Sequence, residues 1–283
     1  FKFNISAFSQ APFVQFNVSN LNSALNDHIY HHMEVHPTAE GVILAGSQDN
    51  GFQVASSLTG AWNAPLGGDG AYGHVSRLNA KKQFASTQNF NMSWTGDGWA
   101  TKASMAPTLP EDDAPVFIGV SELERWDEKY IYIGSRWLHR YDIDKKTWSY
   151  KVGLKEFCPK DHYISALSST SSYRELLIGT TEGKLFRSTV YGPSTDDKTG
   201  NLPAAAITSI SRNESNQNDV VVTLGGYWGV QVVRTLNFLD TKPTWSVVVG
   251  SGSTRLPNVH TNCIVRERNN SANKWWVGTD LGV

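Results

Sequence analysis

Three aspartates stand where the chain turns sharply. They are Asp49 in Gln48-Asp49-Asn50-Gly51, Asp69 in Gly67-Gly68-Asp69-Gly70, and Asp280 in Gly278-Thr279-Asp280-Leu281-Gly282. Two carboxylates about 5–10 Å apart can cleave a glycosidic bond, one as the acid and the other as base or nucleophile. Asp49 with Asp69, joined by the amides of Gln48 and Asn50, also offers the hard oxygen ligands that calcium takes. The plainer reading is structural. Asn-Gly is the strongest short hairpin signal, and Asp and Asn side chains close such turns on their own backbone. The expectation is that Asp49 and Asp69 act first as turn formers.

Other residues invite chemistry as well. Tyr227 and Trp228 sit between glycines, so their rings can stack on sugars or cover a sheet edge. His28, His31, His32 and His36 lie close together around Glu34. On a strand, His28, His32, Glu34 and His36 share one face and His31 takes the other. A zinc site needs three or four converging ligands, and packing between sheets is the favoured reading of these histidines. Glu111-Asp112-Asp113 reads as a solvated acidic loop. The two cysteines, Cys158 and Cys263, are too few for a disulfide framework and match no zinc spacing. They are expected to be unbonded thiols. No Ser-His-Asp set, phosphate loop or dinucleotide motif is legible.

Composition excludes further classes. The 283 residues carry a net charge of −1, and only 18% are charged. That leaves no footprint for nucleic acid or an anionic membrane. No apolar run approaches the roughly 18–20 residues that span a bilayer. With 40% hydrophobic residues and ten Trp, the chain can bury a large core. The Asn- and Ser-rich loops and the sequons at Asn4, Asn17, Asn91, Asn213 and Asn269 suggest a secreted or cell-surface protein, extracellular or periplasmic. The leading Phe1 and the lack of a signal peptide read as part of a longer protein.

The elements that must position these residues repeat. "VILAGSQDNGFQVAS", "KYIYIGSRWLHRYD", "ELLIGTTEGKLFRST", "DVVVTLGGYWGVQVVRT" and "KWWVGTDLGV" share one frame. Each is an apolar strand, a Gly-containing polar turn and a continuation into a second strand. They recur roughly every 45–55 residues, which is the signature of a β-propeller. Alternating strands such as "HYISALSST" and "AITSISRNE" come before them as the innermost strands. The sequence therefore predicts an all-β propeller of four-stranded antiparallel blades near 28–66, 70–104, 115–153, 162–200 and 205–250. A half blade follows at 258–283. Residues 1–27 are a lead-in that either closes the ring or precedes it. The expected full ring has seven blades, of which this chain covers five to six, with missing chain as the favoured completion. Trp62, Trp148 and Trp245 are expected to fill wedges between blades.

"GSQDNGFQ" followed by "LGGDGAYGHV" resembles the QDNG…GGDG pair of secreted propellers with BNR-type, sortilin-like repeats. The Gly-Thr hairpins at 179–180 and 278–279 fit the same resemblance, although the family's Asp-box is degenerate in "STVYGPSTDD" and "RTLNFLDTKPTW". The resemblance extends distantly to xyloglucan-hydrolysing glycosidases, whose aspartate-bearing hairpins "GTDLGV" is similar to. Since such folds host many activities, it implies a binding and interaction module for a protein or glycan, part of a larger protein or complex. The rival is a glycoside hydrolase using Asp49, Asp69 or Asp280. Gln48, Asp49, Asn50, Asp69, Tyr227 and Trp228 are the expected ligand-binding residues. Calcium is the one cofactor expected, at Asp49 and Asp69, with the Glu111–Asp113 loop as its lesser alternative.

Overall fold

The computed structural model describes residues 2–4, 17–19, 29–152, 157–189, 195–227, 229–267 and 274–283. Most of its β-branched and aromatic runs form strands. A hairpin of β1 (Lys2–Asn4) and β2 (Asn17–Ser19) comes first. Five four-stranded antiparallel sheets follow. Blade A holds β3 (Tyr30–Val35), β4 (Val42–Ser47), β5 (Gly51–Ser56) and β6 (Asn63–Leu66). Blade B holds β7 (Gly70–Val75), β8 (Gln83–Thr87), β9 (Asn91–Thr95) and β10 (Ala103–Ser104). Blade C holds β11 (Ser121–Leu123), β12 (Tyr130–Gly134), β13 (Leu138–Asp142) and β14 (Thr147–Ser149). Blade D holds β15 (Ile164–Ser169), β16 (Glu175–Thr180), β17 (Leu185–Thr189) and β18 (Thr195–Asp197). Blade E holds β19 (Ile207–Asn213), β20 (Asn216–Leu224), β21 (Val232–Thr235) and β22 (Ser246–Val247). Blade F has two strands, β23 (Thr261–Arg266) and β24 (Trp275–Thr279).

Within each four-stranded blade the strand order follows the sequence, so each blade is a meander. Residues of the first strand of every blade, A to F, line one central cavity of about 490 Å³. The face on which these inner strands begin also carries the turns between second and third strands, and it is called the top face below. The inner strands of all blades but C share one irregularity. Register slips at Tyr30/His32, Ile164/Ala166, Ile207/Ser209 and Thr261/Cys263, and between Gly70 and Gly73. Such bulges re-aim a side chain, and here they lie at the mouth of the channel.

The core lies between blades. Leu44, Phe52 and Val54 of blade A pack with Val75 and Ala85 of blade B. Leu177 and Leu185 of blade D pack with Ile210, Val222 and Val233 of blade E. Trp245 is buried there, whereas Trp62 is 45% exposed and fills no wedge. The glycines that close the Gly-Ser and Gly-Thr hairpins of blades A, C and D now have a reason. A Cβ on Gly46 would stand 1.8 Å from the Ala71 carbonyl oxygen, and one on Gly179 would stand 2.5 Å from Ile207 Cγ2. The second strand of a blade presses its backbone against the inner strand of the next. Gly179→Ala should therefore destabilise the protein by about 1–3 kcal/mol through overpacking. Gly179→Ala combined with Ile207→Ala should cost less than the two single changes summed. Urea unfolding of the four proteins checks this, and strict additivity would show that the close approach carries no energy.

Candidate functional site on the top face

The turn at Gln48–Gly51 joins β4 to β5, with Ser47 paired to Gly51. Positive φ falls on Asp49 (59°) and Gly51 (74°) rather than on Asn50. Gly51 has no alternative, because a Cβ there would lie 2.2 Å from the Leu66 carbonyl oxygen. The Asn50 amide donates to the Gln48 carbonyl at 3.0 Å, as a turn former should. Asp69 behaves differently from the expectation. It sits in the connection from blade A to blade B, and its Oδ1 accepts the Asp49 N–H at 2.9 Å. Its own N–H donates to Gln88 Oε1 at 2.8 Å, and its carbonyl accepts the Gln88 N–H at 3.0 Å. Asp69 thus links the turns of two blades instead of closing its own loop. The Asp49 side chain is exposed.

Asp280 is not in a position equivalent to Asp49. Ser47 pairs with Tyr30 and Thr279 with Thr261. Asp280 therefore corresponds to Gln48, and Asp69 lies outside the turns altogether. What the fold does bring together is Asp280 and Tyr227. The Tyr227 hydroxyl donates to Asp280 Oδ2 at 3.0 Å, and Asn262 Nδ2 donates to Oδ1 at 3.0 Å. These two hydrogen bonds, Asn262 foremost, hold the Asp280 carboxyl below the ordinary aspartate range. The same contact raises the Tyr227 hydroxyl. Asn262 is a bulge residue of β23, which is how a side chain 18 positions upstream reaches the turn. His260 completes the group. Its Nδ1 accepts the Gly226 N–H at 3.0 Å, and its ring lies 6.3 Å from that of Tyr227. A cavity of about 360 Å³ adjoins, lined by Tyr227, Gln231, Arg255 and Asn258 among others. Trp228 lies outside the described residues.

A second cleft of about 630 Å³ lies between the loops that lead into β11 and β15. Phe117 (57% exposed) and Tyr163 (39%) flank it. The expected solvated loop at Glu111–Asp113 is exposed at Glu111 and Asp112 but pinned at Asp113. The Asp113 side chain is fully buried, accepting from His139 Nε2 at 2.7 Å and from the Ser135 hydroxyl. His139 Nδ1 in turn accepts the Lys151 N–H at 3.1 Å. Burial alone would raise the Asp113 carboxyl, but the hydrogen bonds from His139 and Ser135 outweigh it and lower it. A buried acceptor set that sequence spacing does not reveal thus rigidifies the loop carrying Phe117.

The histidines form no metal cage. Among the described residues no group of three or more His, Cys, Asp or Glu side chains converges as a metal site requires. His28 lies outside the described residues. His36 follows β3, and its Nδ1 accepts the N–H groups of Thr38 and Ala39, which closes a turn. His32 stacks on Tyr72 in the channel with ring centroids 4.6 Å apart. Burial lowers His32 to about 3 and raises Tyr72 to about 12.

Sequence reading missed the group below them. Glu34 Oε2 lies 3.1 Å from His74 Nδ1, and His74 Nε2 lies 2.9 Å from Ser121 Oγ. The order matches a catalytic triad, but Ser121 is 2% exposed and His74 1%, so no substrate reaches them. Arg125 Nη2 also donates to Glu34 Oε2, and the Val75 N–H donates to Oε1 at 3.0 Å. The cluster clamps blades A, B and C. Cys158 and Cys263 are both free, as expected, and burial raises the Cys158 thiol to about 12.

No protein-family model matches the sequence, and no curated protein matches it. Solved structures do match in fold. One is the β-propeller domain of Cps50 (Swd1) from Myceliophteria thermophila, at 14% identity and a TM-score of 0.62, covering 90% of this chain and 82% of that one. Another is the extracellular domain of a hybrid two-component system of B. thetaiotaomicron, at 14% identity and 0.60, covering 94% and 35%. A third is the GH74 xyloglucanase of Xanthomonas campestris, at 13% identity and 0.57, covering 80% and 39%. The chain spans well under half of these last two. At such identities the likeness establishes the fold alone, and the chain is a β-propeller.

Glu34 supplies the test of this geometry. Burial pushes its carboxyl up, but Arg125 and His74 outweigh that and hold it well below the usual glutamate range. A folded-state pKa below the unfolded one adds stability above the unfolded pKa, and that stability is lost as pH falls through the acidic range. Glu34→Gln should cost about 3–5 kcal/mol at neutral pH, the range for stranding one partner of a buried ion pair. The gap between variant and wild type should narrow as pH drops below about 4, near the ordinary glutamate pKa. Denaturant melts at pH 7 and pH 3 measure both effects.

Proposed function

We propose that this chain is a secreted or cell-surface binding module, part of a larger protein or assembly, whose top face holds a glycan. The observation that carries the reading is the Tyr227–Asp280–Asn262 group beside its cavity. An exposed ring next to a carboxylate and an amide matches a sugar, which offers an apolar face and hydroxyls at its edge. The resemblance of the QDNG…GGDG segment to BNR-type, sortilin-like repeats supports a surface role. The Phe117–Tyr163 cleft is the place on the same face where a protein partner would sit.

The specific alternative is a polysaccharide hydrolase acting through Asp49 and Asp69. Their adjacency favours it, as does the fold shared with a xyloglucanase. Calcium is the cation this pair would hold. Affinity electrophoresis on soluble polysaccharides, xyloglucan included, tests the binding reading. Tyr227→Ala should weaken retardation about 10-fold, equivalent to about 1.4 kcal/mol, whereas Trp126→Ala on the opposite face should not. No retardation by any polysaccharide, or none lost in Tyr227→Ala, would remove the glycan reading. Release of new reducing ends, abolished by Asp49→Ala and Asp69→Ala, would establish the hydrolase instead.

The same aspartates make a stability prediction. Asp69→Ala should lower stability by about 0.5–2 kcal/mol, the cost of losing the hydrogen bond that ties the Asp49 turn to the A–B connection, equally in calcium and in chelator. A calcium-induced rise in melting temperature, present in wild type and absent in the variant, would instead mark a cation site.

A further inference from the structure

A cavity of about 720 Å³ lies where β18, the outermost strand of blade D, meets the β21–β22 connection of blade E. Four cations line it: Lys184, Arg187, Lys198 and Lys242. Arg187 is taken up by carboxylates of its own blade, with Nη2 donating to Asp196 Oδ2 at 2.6 Å and Nη1 lying 3.5 Å from Glu175 Oε1. None of the three lysines forms an ion pair among the described residues. Lys198 stands out, being only 3% exposed. Its ammonium donates to two backbone carbonyls, Asp240 at 2.9 Å and Leu239 at 3.3 Å. An ammonium has three donors, so one is left for an acceptor from outside the chain. The Asp240 carboxylate accepts from Asn237 Nδ2 at 2.8 Å instead, and Asp197 Oδ1 accepts the Thr199 N–H at 2.8 Å. Burial, and then the charge of Arg187, lower the Lys198 ammonium, and the pull of Asp196 and Asp240 does not offset them. Buried cations are normally paired, because an unpaired one is costly.

We infer that this cavity is an oxyanion site, which takes the sulfate or phosphate ester of a sugar-sized ligand. The donor types favour that chemistry. Lysine ammonium groups are compact point charges, and with the hydroxyls of Thr195 and Thr241 beside them they suit a tetrahedral oxyanion met from several sides. The planar fork of Arg187, which suits a carboxylate, already holds one. Size fits as well, since the volume lies within the range of small-molecule pockets and exceeds what a bare ion needs. The walls are also fixed to each other. The Trp245 N–H donates to Asn201 Oδ1 at 2.6 Å, Asn201 Nδ2 donates back to the Trp245 carbonyl at 3.1 Å, and Trp245 Nε1 donates to the Lys198 carbonyl at 3.3 Å. A Cβ on Gly200 would stand 2.0 Å from the Pro243 carbonyl oxygen, so only glycine lets the two segments approach this closely. The cations therefore converge on a preformed site. It shares no lining residue with the cavity beside Tyr227, and either site can fail without the other.

Isothermal titration of the intact 283-residue chain with glucose 6-sulfate, glucose 6-phosphate and glucose tests the site. The salt is held at about 0.15 M, where attraction between separated surface charges is largely screened. At least one ester should bind about 10-fold or more tighter than glucose, the scale of a charge-assisted hydrogen bond, and the tighter ester names the oxyanion. Lys184→Gln combined with Lys242→Gln should abolish that preference, and so should Lys198→Met. Tyr227→Ala should leave it unchanged. Lys184 and Lys242 are exposed, so the double variant keeps its fold and decides the question even if Lys198→Met does not fold. Esters bound no tighter than glucose would overturn the site. A preference undiminished in the double variant, or one lost in Tyr227→Ala, would overturn it as well, the latter by placing the ester on the top face.

Discussion

The arrangement depends most on one buried carboxylate. Glu34 lies in the inner strand of blade A, yet its oxygens are held by Arg125 of blade C and by His74 and the Val75 N–H of blade B. Arg125 reaches on to blade D, where the Ser169 hydroxyl accepts its N–H, and that hydroxyl donates to Glu122 at 2.7 Å. Four blades thus meet in one hydrogen-bonded set near the axis. Apolar packing between blades has no direction of its own and tolerates sliding. A buried charge satisfied from several sides does not, because each lost contact leaves an uncompensated group in a poorly solvated place.

A second ionic set does the same work between blades E and F. Asp219 is nearly fully buried and accepts from Arg234 of its own blade and Arg266 of blade F, and Asn213 Nδ2 donates to its Oδ2 as well. Burial would raise its carboxyl, but these hydrogen bonds outweigh that and hold it at about 2. Trp275 lies against both guanidinium groups at 5.2 Å. Blade F is consequently fastened to blade E by charge and cation–π contact although it has only two strands. The Tyr227–Asp280 group spans this junction, Tyr227 from blade E and Asp280 from blade F. Its geometry is only as fixed as the junction below it.

The sequence by itself determined the architecture. Strand runs at a regular period, each closed by a glycine turn, specify blades because the alternation of apolar residues and the glycine backbone are local properties. The turn role of Asn50-Gly51 was legible for the same reason, and the two cysteines, too few for a disulfide framework, are unbonded as expected. The clustered histidines were legible only as inner-strand residues. Their separate fates, His36 in a turn and His32 against Tyr72, depend on which blade faces each ring.

Tertiary structure alone decided the partners of the charged groups. Asp69 bridges two turns, Asp113 is buried by a hairpin 22 or more residues away, and Asp280 meets Tyr227 across 53 residues. Each pairing joins a connecting loop or turn to a distant strand or turn, where sequence separation carries no signal about distance. The bulges that aim Asn262 and His31 toward the channel mouth are invisible for a similar reason, since the extra residue shows itself only against its partner strand. Local chemistry sets what a strand and a turn can be. Which acid meets which base is set by how the blades stack, and that stacking exists only once the chain has folded.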